Sequence, residues 1–216
     1  KEDMQMYFSL EIEKGDFVAL SGKSGSGKTT LLRILAGLET ANGIIHVDNE
    51  IWLDSHKCKP IQKREIGFVF QDYALFENMS VLENLLYVNK DIELANHLLH
   101  VTELSELKNR VPSTISGGQK QRVGLARAFY GNPKLVVLDE PNANLDEAGE
   151  EALASALKEA KKKNISVIVI SHRPSVLLAV DKVMVIQDGS VASFGTKKEV
   201  EGRVKMLKNG TIHINA

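Results

Sequence analysis

The sequence predicts an α/β fold: a largely parallel sheet covered by helices on both faces, with a small antiparallel sheet beside it and a helical insertion in mid-chain. Three observations carry this reading. Short apolar runs at Phe17-Val-Ala-Leu20, Leu135-Val-Val-Leu138 and Ser166-Val-Ile-Val-Ile170 have the length and composition of strands buried on both faces. Stretches with apolar residues at helical spacing separate them, so strand and helix alternate. The first run also leads straight into a glycine-rich turn, Gly22-Lys-Ser-Gly-Ser-Gly-Lys-Thr29, that opens a helix.

In order, Met6, Phe8, Leu10 and Ile12 alternate with Tyr7, Ser9, Glu11 and Glu13, which predicts a half-buried strand. Lys14-Gly-Asp16 turns into the strand that feeds the glycine loop. Leu31, Leu32, Leu35 and Leu38 then mark a helix stopped near Gly37. Residues 43–47 and 51–53 are expected as two strands across an Asp48-Asn49 turn, completing the small antiparallel sheet. The charged stretch from Lys57 to Glu65 is expected as a surface connection, and Ile66-Gly-Phe-Val-Phe70 as a buried strand ending at Gln71-Asp72.

Ser80-Val-Leu-Glu83 has the form of a capping box. Apolar residues from Leu85 to Leu107, Ile92 among them, follow at helical spacing, so residues 72–128 are expected as a helical subdomain and 1–71 with 129–216 as the core of one domain. Strands resume at Leu135 and Ser166, separated by a long helix from Glu147 to Lys163 with Asp146 as its cap. Residues 183–186 and 191–194 are expected to pair around Asp188-Gly189. A last helix should open at Thr196 and bury Val200, Val204 and Leu207.

The totals bound the function. The chain has 216 residues, enough for one full core. Its formal net charge of −1 gives no support for nucleic-acid binding. A single cysteine, Cys58, leaves no intramolecular disulfide and fits a reducing cytoplasm. No apolar run approaches the ~20 residues of a membrane span, and the opening residues lack a signal-peptide pattern, so association with a membrane is expected to be indirect.

The glycine loop points to chemistry. G-x-x-x-x-G-K-T, with Gly22, Gly27, Lys28 and Thr29 in the fixed places, lets successive backbone N–H groups face one small anion. The N-terminus of the following helix adds its positive end. Lys28 supplies charge to the outer phosphates, and the Thr29 hydroxyl can ligate Mg²⁺. The candidate nucleotide-binding set is thus Gly22, Lys23, Ser24, Gly25, Ser26, Gly27, Lys28, Thr29 and Thr30, in the three-layer core of a P-loop NTPase. In a parallel sheet the ligand sits at the carboxyl ends of the strands. Three strands are expected to end in polar residues there: Gln71, Asp139-Glu140 and His172.

Together these residues resemble the ATP-binding subunits and domains of ABC transporters. The motifs fall in the family's order: the phosphate loop, Gln71 in F-V-F-Q-D, a signature-like Ile115-Ser-Gly-Gly-Gln119, L-V-V-L-D-E-P through Pro141, Asn144-Leu-Asp146 and His172. The resemblance implies roles. Asp139, with Thr29 and Gln71, would hold Mg²⁺, a hard cation that prefers oxygen ligands. Glu140 would be the general base toward the γ-phosphate, with His172 orienting the attacking water and Gln71 sensing the phosphate. Ser116, Gly117, Gly118 and Gln119 start a helix, and Asp146 would lie beside them at an interface. In the family each signature helix covers the ATP of a partner, so a second ATP-binding domain is implied, as a homodimer or with a close relative. Transmembrane transporter subunits are the other implied partners, docking on the helical subdomain and the Gln71 loop, with the protein peripheral on the cytoplasmic face of the cell membrane.

Two departures stand out. The aromatic residue that stacks adenine in the family is not evident upstream, and Tyr7 is a poor substitute. Through about Ala128 the chain resembles molybdate-type importer ATPases, whereas from Tyr130 it is similar to ATPase domains of type I secretion exporters, a division that either drift among related sequences or a natural or engineered mosaic would produce. An excised exporter domain is therefore an alternative to a stand-alone motor subunit. A nucleic-acid maintenance ATPase would carry long heptads between Gln71 and Ser116, and none are present. A non-hydrolysing regulatory module would have no use for both Glu140 and His172.

Overall fold

The computed structural model describes residues 6–70, 72, 74–141, 145–171 and 173–201 of the chain. β1 (Phe17–Ser21) leads through the glycine loop into α1 (Lys28–Ala36). That helix ends in a Schellman arrangement. Gly37 is left-handed at φ 79°, its N–H bonds to the Ile34 carbonyl, and the Leu38 N–H bonds to Arg33. β2 (Ile45–Val47) and β3 (Glu50–Leu53) form a separate antiparallel pair. β4 (Ile66–Val69) then joins the main sheet.

The middle of the chain is helical: α2 (Val81–Leu86), α3 (Ile92–Val101) and α4 (Gly117–Phe129). α2 begins with the expected capping box between Ser80 and Glu83. Then come β5 (Leu135–Asp139), α5 (Glu147–Lys162), β6 (Ser166–Ile170), α6 (Pro174–Ala179), β7 (Lys182–Gln187) and β8 (Ser190–Thr196). Asp146 caps α5 as expected, its Oδ1 accepting from the Gly149 N–H at 2.9 Å. A further helix opens at 197–201 and buries Val200; Val204 and Leu207 lie outside the described residues.

The six-stranded sheet has the order β4-β5-β6-β1-β7-β8, parallel except for the β7–β8 pair. Alternate residues of its inner strands enter different cores, which is why the runs read as continuously apolar. Ala19, Val136, Leu138, Val167 and Val169 face the core filled from α4, α5 and the helices of the insertion. Val18, Leu20, Val137, Ile168 and Ile170 face the other core, with Leu31 and Leu32 of α1 and Trp52 of β3. These are three layers. α4 lies between layers of another kind, touching β4, β5 and α5 as well as α2 and α3.

The structure corrects several expectations. The first strand does not form: Tyr7 makes a single parallel bridge to Ser190, and its N–H bonds to the Gly189 carbonyl at 2.9 Å. Phe8 and Ile12 pack on the core, so the alternation reported side-chain burial without a ladder. Ile92 is exposed at the first position of α3, not on its inner face. Within the supposed surface connection Arg64 is buried. α6 was not foreseen, because its apolar stretch is too short to establish a period, although Pro174 at its start is a favoured opening residue.

Candidate nucleotide site

The site stands at the carboxyl ends of β1 and β5, which lie on either side of β6 in the sheet. From Ser21 the chain turns through Gly22 at φ 152°, Gly25 at 78° and Gly27 at 99° before α1 begins. Gly22 is required by space: a Cβ there would meet the Ile186 carbonyl oxygen at 2.3 Å and Ser26 Oγ at 2.8 Å. At Gly25 nothing lies within 4 Å of the same point, so the loop is open on that side. α1 has no side-chain cap, and its first N–H groups face the loop.

The loop has features that fit a bound phosphate. Ser26 Oγ is buried and, among the described residues, has no hydrogen-bond partner. Lys28 folds over the loop, its Nζ donating to the carbonyls of Gly22 at 2.8 Å and Lys23 at 2.9 Å. Lys23, Ser24, Gly25 and Thr29 are exposed and Thr30 is half-buried. An orphaned hydroxyl, an uncapped helix start and an ammonium group around open space suit a polyphosphate.

Asp139 ends β5 and is only 5% exposed. The Thr29 hydroxyl lies beside its carboxylate. Burial pushes its carboxyl above the ordinary range, and the Glu140 carboxylate adds to this; the Thr29 hydroxyl and the charges of Lys28 and Arg33 act the other way. Two hard oxygen ligands, from Thr29 and Asp139, thus meet beside the loop and suit Mg²⁺. Among the described residues no group of three or more His, Cys, Asp and Glu side chains is placed to hold a metal.

Glu140 follows at φ 48°, a left-handed conformation that is uncommon for a residue with a Cβ. Its N–H donates to the Ile170 carbonyl at 3.1 Å, extending the β5–β6 ladder by one bond. The loop, Thr29, Asp139 and Glu140 are therefore brought together. Gln71, His172 and Asn144 lie outside the described residues.

The signature-like segment starts a separate element. Ser116 caps α4, its Oγ accepting from the Gln119 N–H at 3.2 Å, while Gln119 Oε1 accepts from the Ser116 N–H at 2.9 Å. Ser116 and Gly117 are exposed, Gly118 and Gln119 half-buried, and the Asp146 side chain is occupied as the cap of α5. Two residues that support the elements of the site escaped the sequence reading. Arg64 caps α1, where only its place before the Ile66 strand gave a hint; Gln121 reaches Glu140, and its sole signal was its position on α4.

An open glycine loop before a helix, at the end of a parallel strand and next to an Asp-Glu strand end, defines a nucleotide-binding α/β domain. The chain belongs to the ABC transporter family, which it matches over residues 6–143. It is 37% identical over 206 residues to a sulfate/thiosulfate import ATP-binding protein of Mesostigma viride, covering 90% of this chain and 58% of that protein. It is also 37% identical over 211 residues to a spermidine/putrescine import ATP-binding protein of Bacillus anthracis, covering 92% and 63%. The chain thus spans about three fifths of the length of these relatives. Both alignments run through the front and back halves of the chain. Among solved structures, the ATP-binding cassette MJ0796, in a dimeric post-hydrolysis state with ADP and Pi, aligns with a TM-score of 0.76 at 31% identity over 87% of this chain and 88% of that one. The fold is that of an ABC cassette.

Proposed function

We propose that this chain is the ATP-hydrolysing motor of an ABC importer, working as a pair of cassettes on transmembrane subunits. The observation that supports this best is Asp139 and Glu140 at the end of β5, with Asp139 beside Thr29 of the phosphate loop. The loop N–H groups and Lys28 bind and orient the triphosphate, a task that dominates phosphoryl transfer. Thr29 and Asp139 hold the site for Mg²⁺, which when bound neutralises charge on the phosphate oxygens. Glu140 accepts the proton of the attacking water, and the roles of Gln71 and His172 are those implied by the resemblance.

Import as the direction rests on the similarity to import ATP-binding proteins. Pairing through Ser116, Gly117 and Asp146 is supported by their exposure and by the dimeric MJ0796 cassettes. Among the described residues no helix is long and apolar enough to cross a membrane, so a peripheral place on the cytoplasmic face is part of the proposal. The docking face is the insertion, where Phe76 stacks against exposed Tyr87 with ring centroids 4.5 Å apart.

The test is turnover by Glu140→Gln. With the carboxylate gone, ATP hydrolysis should fall by ~10²–10⁴ while nucleotide affinity is kept. Unchanged hydrolysis would remove Glu140 from the mechanism.

A further inference from the structure

We propose that Gln121 is a positioning residue for Glu140: its side-chain amide, carried on the helix that begins at Ser116, holds the peptide from which the general base projects. The inference rests on the reading of Glu140 as that base. Gln121 is 3% exposed, inside the molecule between α4 and the end of β5. Its Nε2 donates to the Glu140 carbonyl oxygen at 3.3 Å. A carbonyl only accepts, so the amide must turn its NH₂ toward Glu140, which fixes the side-chain orientation.

Glu140 has reason to need holding. At φ 48° it occupies a left-handed conformation that disfavours a residue with a Cβ. It also precedes Pro141, and residues before proline favour extended backbone. Two hydrogen bonds oppose that relaxation, one on each side of the residue: N–H to the Ile170 carbonyl of β6, and carbonyl from Gln121 of α4. Without the second, the peptide can rotate toward extended geometry and carry the carboxylate away from the phosphate loop. Gln suits the task because it donates without charge; a Lys or Arg there would draw down the basicity of the carboxylate it serves.

The arrangement has a consequence for regulation. Gln121 lies about 7.5 Å along α4 from its Ser116 cap. Whatever seats at the head of α4 therefore bears on the backbone of Glu140 in the same chain. A nucleotide covered by the Ser116-Gly117-Gly118 segment would set the geometry of hydrolysis at the other site.

Gln121→Met keeps the length and removes the donor. We expect single-turnover hydrolysis to slow about 10- to 100-fold, the scale of a ~1 Å misplacement of a reacting group. Affinity for a fluorescent ATP analogue should stay within about twofold, since the loop is untouched. Gln121→Glu, with the same shape and a carboxylate facing the carbonyl, should slow hydrolysis at least as much. In a Glu140→Gln background Gln121→Met should add no further loss, because the group it positions is gone. Normal turnover by both Gln121 variants would overturn the proposal. So would an equal fractional loss with and without Glu140, or parallel loss of hydrolysis, nucleotide affinity and melting temperature. Normal turnover by Glu140→Gln alone is a separate result, and overturns the assignment of the base rather than the role of Gln121 within it.

Discussion

At the scale of single residues the loop glycines are not equivalent, and their differences are measurable. Gly22 is enclosed by the Ile186 backbone, so a methyl group there cannot be accommodated by moving a flexible side chain. Gly22→Ala should abolish tight nucleotide binding and lower stability by about 1–3 kcal/mol, read by equilibrium unfolding. Gly25 has the left-handed φ but open space around it. Gly25→Ala should therefore cost only about 1 kcal/mol of stability, while the new methyl intrudes on the cradle and weakens nucleotide binding. A loop without a phosphate partner would show the stability differences without the loss of affinity.

At the scale of elements, the phosphate-loop helix is anchored from behind by Arg64. Its Nε donates to the Lys59 carbonyl, Nη1 to those of Ile34 and Leu35, and Nη2 to that of Trp52 and to Cys58 Sγ, so every guanidinium N–H finds an acceptor. The group also lies over the Trp52 ring at 5.6 Å and against Gly37. Arg64→Met should cost about 2–3 kcal/mol, because it strips the end of α1 and the turn after β3 at once; chemical denaturation would read this. A tie of a different kind joins the insertion to the core. His97 Nε2 on α3 and Glu159 Oε2 on α5 lie 2.9 Å apart. The bond to His97 is the main cause holding the Glu159 carboxyl below its usual 4.5. A depressed acid contributes stability above its unfolded pKa and loses it as pH falls through the folded value. His97→Ala should thus cost less than ~1 kcal/mol near pH 6, since the pair is partly exposed. The difference should shrink below about pH 4. Stability curves for both proteins that stay parallel down to pH 3 would remove Glu159 from the explanation.

At the scale of the whole molecule, the described residues present a nucleotide loop and, at the head of α4, another exposed serine-glycine helix start. A closed pair of chains would use both. Glu140→Gln, proposed to bind ATP without turning it over, should elute as a monomer without nucleotide and as a dimer with ATP in size-exclusion chromatography. A monomer under both conditions would count against pairing by the cassette alone. The same face links to hydrolysis through α4, which touches both the insertion and the sheet. Loss of the shared γ-phosphate would then release the pair by removing differential contacts, the usual logic of a nucleotide switch.

What the sequence determined alone was everything encoded locally. Strand identity followed from doubly buried runs, the phosphate loop from glycine spacing, and the starts of α2 and α5 from capping residues that act within one turn. Tertiary structure decided the rest, because pairing and charge burial depend on partners distant in the chain. It turned an alternating N-terminal segment into a packed, unpaired one, since alternation reports which side chains are buried and not whether a neighbouring backbone is free to bond. It drew Arg64 out of an apparently solvated charge run, because the carbonyls at the end of α1 offered it more than water does. And it placed Gln121 against Glu140, a contact between a helix and a strand end that no local pattern records.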